Sequence, residues 1–187
     1  MRHRKKVANT LLVSIIVLLF SVAQQRGYLA PAAKTLEKNQ PGLYSVAKFT
    51  DGDTISVNMN GNIEKVRFIG VDTPETHDPR KSIQCFGQAA ADFTKKLIGS
   101  NRLRLEADPT NTNRDRYNRL LRYVYLPDGR LVNAEIIKQG YGFAYTYFPF
   151  TKLDEFRQFQ KDAETAKLGL WGSCTIDTEA NGQVHTD

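Results

Sequence analysis

The dipeptide Asn60-Gly61 separates two stretches of alternating apolar and polar residues, 54–59 and 63–69. No other feature restricts the fold as strongly. Asn and Gly both tolerate the positive φ that a two-residue type I′ turn demands, so the pair predicts a β-hairpin. Ile55, Val57 and Met59 then share one face of the first strand. In this register Thr54 opposes Arg67 and Asp53 opposes Phe68, so Asp53 and Arg67 meet at the open end of the hairpin. A slip of one residue would turn every side chain to the other face.

The returning strand runs into Val-Arg-Phe-Ile-Gly-Val-Asp-Thr-Pro-Glu-Thr at 66–76. Pro74 stiffens the chain and biases Thr73 towards an extended shape. Asp72 and Glu75 therefore leave the strand end on a stiffened loop. Arg67 lies inside the strand, where a lone charge is costly unless it is paired or faces a cleft. One cation and two carboxylates beside one strand end suggest a metal-and-phosphate site.

Further strands are predicted at 43–49, 103–107 and 121–126, and helices at 86–98, 131–139 and 152–168. Phe86, Ala89, Ala90, Phe93 and Leu97 give the first helix its apolar spacing, and Gly99 gives it a stop. Five short strands with one helix between the third and fourth suggest a Greek-key barrel of the OB type. A sandwich is the alternative. Residues 175–187 are polar and read as a loose tail.

The first 23 residues read as a targeting segment, with a basic start, the apolar run 11–20 and then Ser21-Val22-Ala23, a small-x-small cleavage pattern. The charge-free stretch 7–25 allows an uncleaved membrane anchor instead. Either way the domain ends outside the cytoplasm. Residues 24–41 form a polar linker and 42–174 the folded domain. The formal charge is +6, but Arg2, Arg4, Lys5 and Lys6 supply much of it, leaving 22 basic against 20 acidic side chains. Overall charge therefore says little about nucleic acid, and the placement of the charges matters more. In an oxidising compartment Cys85 and Cys174 are expected to pair. Two buried free thiols are the alternative.

Histidine limits the chemistry. His3 and His185 lie in the N-terminal segment and the tail, and His77 reads as a solvated loop residue. A histidine-based triad or a zinc site has no support. Asp53, Asp72 and Glu75 offer hard oxygen ligands suited to Ca²⁺ or Mg²⁺. Arg114, Arg116 and Arg119 crowd a loop at 113–119, and arginine's planar fork matches phosphate. Tyr141, Tyr145 and Tyr147, interleaved with Phe143, Phe148 and Phe150, either belong to the core or stack on bases. A metal, two arginines and a carboxylate base together would hydrolyse a phosphodiester.

Asp51-Gly52-Asp53-Thr54, Val66-Arg67, Asp72-Thr73-Pro74-Glu75-Thr76 and Asp115-Arg116-Tyr117 with Arg119 carry a resemblance to the staphylococcal nuclease (thermonuclease) family. It extends from about 44 to 172, with Phe86-Gly87-Gln88-Ala89, Val132-Asn133 and Gly169-Leu170-Trp171 adding to it. The resemblance implies a five-stranded OB-fold barrel with three α-helices (an α+β domain) and Ca²⁺-dependent, sugar-nonspecific hydrolysis of DNA and RNA to 3′-phosphate ends. It implies that Asp53, Asp72 and the Thr73 carbonyl bind Ca²⁺. Glu75 is then the general base, and Arg67 and Arg119 grip the phosphate. Arg116 and Tyr117 would contact a neighbouring phosphate, and Tyr145 and Tyr147 the base or sugar. The expected substrates are single-stranded DNA, RNA and duplex DNA, for a monomer without a stable protein partner. Asn118 and Leu120 flank Arg119 where the family prototype has glycines. A catalytically silent OB module that only binds nucleic acid or protein is the competing reading, but mere binding would not require carboxylates, which repel phosphate.

Overall fold

The computed structural model describes residues 42–76, 84–179 and 183–186. The expected hairpin is its central feature. Strand β2 (Thr54–Met59) pairs antiparallel with β3 (Asn62–Phe68), and Thr54 opposes Arg67 as the turn chemistry predicts. Asn60 and Gly61 both have positive φ, 55° and 90°. Strand β1 (Leu43–Phe49) flanks β2, with a register irregularity between Val46 and Lys48 that bends the strand.

Beyond the short β4 (Val71–Asp72) the chain forms helix α1 (Gly87–Ile98), then β5 (Leu103–Glu106) and β6 (Leu120–Tyr125). β5 pairs with both β1 and β6, and β6 runs parallel to β3. The order β1-β2-β3-β6-β5 therefore closes into a barrel. Closure removes the sheet edges that an open sandwich would have to protect, and it decides against the sandwich. Helices α2 (Val132–Lys138) and α3 (Leu153–Thr165) bring the helices among the described residues to three, followed by a single helical turn at Leu170–Ser173. Between α2 and α3, β7 (Phe143–Ala144) pairs with β4.

Ile55, Val57, Val66 and Val124 from the barrel are fully buried with Ile136 and Ile137 of α2 and Phe156 of α3. Each such side chain stabilises the fold by about 1.5–3 kcal/mol. Asn133, also fully buried, fastens α2 to the strand ends. Its Oδ1 accepts the Val124 N–H at 2.9 Å, and its Nδ2 donates to the Ile69 and Arg122 carbonyls. A buried amide with its partners satisfied ties down the site-bearing end of β3.

Two details differ from the sequence reading. The buried stripe of α1 is Gly87, Ala90, Thr94 and Ile98, rotated from the predicted one. Thr94 turns inward because its hydroxyl donates to the Gly52 carbonyl at 2.7 Å, while Phe93 lies half-buried and stacks on Tyr141. Within the tail read as loose, β8 (Ile176–Thr178) pairs with β9 (Val184–Thr186), and Thr186 is buried. Its hydroxyl donates to the Cys85 carbonyl at 2.7 Å, an anchor that composition does not reveal.

Cys85 and Cys174 are joined, with an S–S distance of 2.02 Å. The bridge closes a loop with a sequence separation of 89, for which the chain-entropy model gives about 4–5 kcal/mol. Reduction is expected to lower the melting temperature by roughly 10 °C or more; an unchanged melt with two titratable thiols would contradict it. Among the described residues no helix is long and apolar enough to cross a membrane. Residues 1–41, read as targeting segment and linker, and His77 lie outside the described residues.

Candidate active site

The site forms where β3 ends and β2 begins. Arg67 Nη1 meets Asp53 Oδ2 at 2.5 Å as an ion pair, without the alignment of a hydrogen bond. Its Nη2 donates to Asp72 Oδ1 at 2.7 Å. One guanidinium thus links two aspartates that are 19 positions apart in sequence but adjacent across the strand end. Thr73 closes the same corner, its N–H and hydroxyl both donating to Asp53 Oδ2 at 2.9 and 3.1 Å. Asp53 Oδ1 accepts the Thr54 hydroxyl. Gly52 permits this packing, since a Cβ there would lie 2.8 Å from the Thr73 methyl group.

Carboxylates outnumber cations in this pocket. Burial, then the neighbouring Asp53 charge, pushes the Asp51 carboxyl up to about 8. Burial likewise pushes Asp72 up to about 6, although the Arg67 charge pulls it down. Burial disfavours the charge on Arg67, but Asp53, Asp72 and Asp51 outweigh it and hold the guanidinium protonated. With Asp51 so raised, Asp53 and Asp72 around the single Arg67 charge still leave an excess of negative charge in a poorly solvated corner. Hard oxygens carrying that excess are the donor set a divalent cation takes. Among the described residues no three Asp, Glu, His or Cys side chains converge at metal-ligand spacing. A cation would therefore lean on two carboxylates with main-chain and water oxygens, as Ca²⁺ and Mg²⁺ sites do.

Glu75 is half-buried on the loop after β4. Its Oε1 accepts the Thr76 N–H at 3.0 Å, and its own N–H donates to Gln84 Oε1 at 2.6 Å.

Arg119 approaches from the loop before β6. Its Nε donates to Asp115 Oδ2 at 2.7 Å, and its Nη1 reaches the Thr54 hydroxyl at 3.5 Å. Because that hydroxyl is bound to Asp53, Arg119 and Arg67 address the same corner. Asn118 has φ 64°, a conformation Asn adopts more readily than most residues. The position therefore tolerates a residue other than glycine. Leu120 is buried and pairs with Val66 at the start of β6. Neither residue blocks Arg119.

Arg116 and Tyr117 form the exposed rim. Arg116 Nη2 donates to the Tyr117 hydroxyl at 2.8 Å, and the Arg116 and Arg119 guanidiniums lie 4.8 and 5.4 Å from the Tyr117 ring centre. Tyr145 and Tyr147 have ring centres 5.0 Å apart. Burial and the Asp72 charge hold the Tyr145 hydroxyl above its usual range, with Arg67 and Arg116 opposing, and the Tyr145 N–H donates to the Gly70 carbonyl at 2.9 Å. The aromatic run divides. Phe143 and Phe150 are core, whereas Tyr147 and Phe148 are 47% and 59% exposed beside the site.

Three contributors escaped the sequence reading as site residues: Asp51, Gln84 and Asp115. Asp115 stands two positions from Tyr117 inside the recognised run, and its carboxylate orients Arg119 through both Nε and the main-chain N–H. Its partner at i+4 was a legible signal. Gln84 binds Glu75 at a separation of 9 positions and gave none.

A family model described as Staphylococcal nuclease homologue matches residues 65–173. The SPbeta prophage-derived endonuclease YokF of Bacillus subtilis (strain 168) is 43% identical over 123 residues, 65% of this chain and 41% of that protein. Endonuclease YncB of the same organism is 43% identical over 138 residues, 72% of this chain and 64% of its own length. The chain thus spans less than two thirds of either relative. A Thermonuclease from Staphylococcus intermedius is 38% identical over 174 residues, 89% of this chain and 98% of the relative.

Proposed function

Because the chain belongs to the staphylococcal nuclease family, we propose that it is a Ca²⁺-dependent, sugar-nonspecific nuclease that hydrolyses phosphodiester bonds of DNA and RNA, leaving 3′-phosphate ends. The observation that carries this reading is the guanidinium of Arg67 bridging Asp53 and Asp72, with Arg119 directed at the same corner. Asp53, Asp72 and the Thr73 carbonyl would hold the Ca²⁺. When bound, the ion supplies Lewis-acid stabilisation of charge on the phosphoryl oxygens.

The protein's own groups do the rest. Arg67 has five N–H donors and meets the aspartates through Nη1 and Nη2, so it can also donate to a phosphate oxygen. Arg119, aligned by Asp115, donates to a second oxygen as negative charge develops there. Glu75 takes the proton of the attacking water. Arg116 and Tyr117 grip an adjacent phosphate, and Tyr145 and Tyr147 pack against base or sugar. Stacking on aromatic faces tolerates any base and is consistent with single-stranded DNA and RNA, as well as opened duplex DNA, as substrates of a monomeric enzyme. The Cys85–Cys174 bridge favours an oxidising compartment. It accords with export through residues 1–23 by cleavage near Ala23, or alternatively with an outward-facing membrane anchor. An intact mass lacking 23 residues would establish cleavage.

The deciding experiment digests single-stranded DNA with the purified protein, with Ca²⁺ and with excess chelator. Cleavage only with Ca²⁺ is expected. A folded protein that binds DNA and cleaves under neither condition would instead be a silent OB module.

A further inference from the structure

We propose that Gln84, held in place by the Cys85–Cys174 disulfide, is the positioning residue that aims Glu75 at the substrate; this rests on the nuclease reading above. Gln84 grips the main chain of Glu75 from both sides. Its side-chain Oε1 accepts the Glu75 N–H at 2.6 Å, and its main-chain N–H donates to the Glu75 carbonyl at 3.1 Å. Two bonds between one pair of residues hold the peptide units on both sides of the Cα that carries the carboxylate.

Gln84 is itself anchored by its neighbours. Cys85 is bonded to Cys174, which follows the helical turn Leu170–Ser173. The Cys174 N–H donates to the Leu170 carbonyl, and Leu170 is fully buried. The Cys85 carbonyl accepts the hydroxyl of the buried Thr186, so the β8–β9 hairpin latches the same residue. Phe86 follows with φ 69°, a backbone conformation costly for a bulky side chain and retained only where the surroundings impose it. The Gly87 N–H returns to the Gln84 carbonyl, and a Cβ on Gly87 would lie 2.9 Å from the Glu75 carbonyl oxygen. A helix entry alone needs no disulfide, no buried hydroxyl latch and no strained residue. Together they make a rigid cradle that meets the chemistry at the Glu75 main chain.

The test compares Gln84→Ala with Gln84→Glu, which retains an acceptor at the same reach, and with the double variant Cys85→Ala/Cys174→Ala. Steady-state kcat and KM on single-stranded DNA and amide hydrogen exchange at Glu75 are measured, with folding checked by thermal melt. Gln84→Ala is expected to lower kcat about ten- to hundredfold, the scale of a misplaced catalytic group. KM should stay within about twofold if binding is untouched, and exchange at Glu75 should quicken. Gln84→Glu should restore most of kcat and slow the exchange again, and loss of the disulfide should reproduce the Gln84→Ala effect in the same direction. If Gln84→Ala does not fold, Gln84→Asn, one methylene short, is read in its place. A cleaving wild-type protein whose Gln84→Ala variant keeps both kcat and Glu75 exchange overturns the positioning role alone. A wild-type protein that never cleaves overturns the nuclease reading and this role with it.

Discussion

Replacing Glu75 with Gln is expected to lower turnover by about two to four orders of magnitude, the range for removing a general base, while nucleotide affinity changes little. The substitution is nearly isosteric. Gln84 binds the Glu75 main chain rather than its carboxylate, so the cradle survives. The oxygen that accepts the Thr76 N–H is also retained. What would disappear, on the proposed mechanism, is the basic oxygen that takes the proton of water. Arg67, Asp53, Asp72 and Arg119 keep their mutual contacts, which is why phosphate binding should persist. Single-turnover cleavage together with titration by a nonhydrolysable nucleotide separates the two effects. Turnover within about threefold of the parent protein would remove Glu75 from the base role.

The second large effect concerns Asp108, which is 4% exposed. Its Oδ1 accepts the N–H and hydroxyl of Thr110 at 2.8 and 2.5 Å. Its Oδ2 accepts the Tyr123 hydroxyl at 2.6 Å and the N–H and hydroxyl of Thr151 at 2.7 and 2.6 Å. Burial by itself would raise this carboxyl, but the bonds from Thr110, Thr151 and Tyr123 outweigh it and hold Asp108 well below the usual carboxylate range. The same carboxylate and burial hold the Tyr123 hydroxyl above its usual range. Asp108→Ala strands several of these donors at about 1–3 kcal/mol for each one that water cannot reach. A loss of at least about 3 kcal/mol, or roughly 10 °C in melting temperature, is expected.

The pH dependence follows from the direction of the shift. The folded carboxyl is more acidic than an unfolded one, whose pKa is about 3.9. Its contribution is therefore complete above that value and is lost as pH falls towards the folded pKa, because the unfolded chain takes up the proton first. Melting curves from pH 7 down to 3 should show the gap between parent and Asp108→Asn shrinking below about pH 4. A gap independent of pH would show that Asp108 acts through packing alone. Asn111 Nδ2 and the Thr110 hydroxyl also hold the Pro149 carbonyl. The segment carrying Tyr147 and Phe148 thus shares this anchor, and the variant should bind single-stranded DNA more weakly as well.

Much of the site was legible because it depends on local chemistry. Asn60-Gly61 chose the turn, the alternation on both sides chose the faces, and the resulting register put Arg67 opposite Thr54. Asp53 and Asp72 then had to lie near Arg67 whatever the rest of the chain did. The helix faces were less legible. Phe93 and Leu97 have the spacing of a buried stripe, yet Thr94 is the residue that faces inward, where its hydroxyl donates to the Gly52 carbonyl. The tail was less legible still. Its polar composition reads as loose, while the buried Thr186 bound to Cys85 depends on a contact with |i−j| of 101.

By itself, then, the sequence determined the hairpin, its register and the shared neighbourhood of Asp53, Arg67 and Asp72, and it made a Cys85–Cys174 pair the expectation over two free thiols. Each follows from turn sterics, a period of two, or the chemistry of a compartment, none of which needs the rest of the molecule. Only the tertiary structure decided that β6 closes the barrel in parallel on β3, that Gln84 clasps Glu75, and that Asp108 gathers Tyr123 and Thr151. Those contacts join residues whose separation in sequence carries no periodic signal. They are set by where packed elements bring a buried acceptor within reach of donors that would otherwise go unsatisfied.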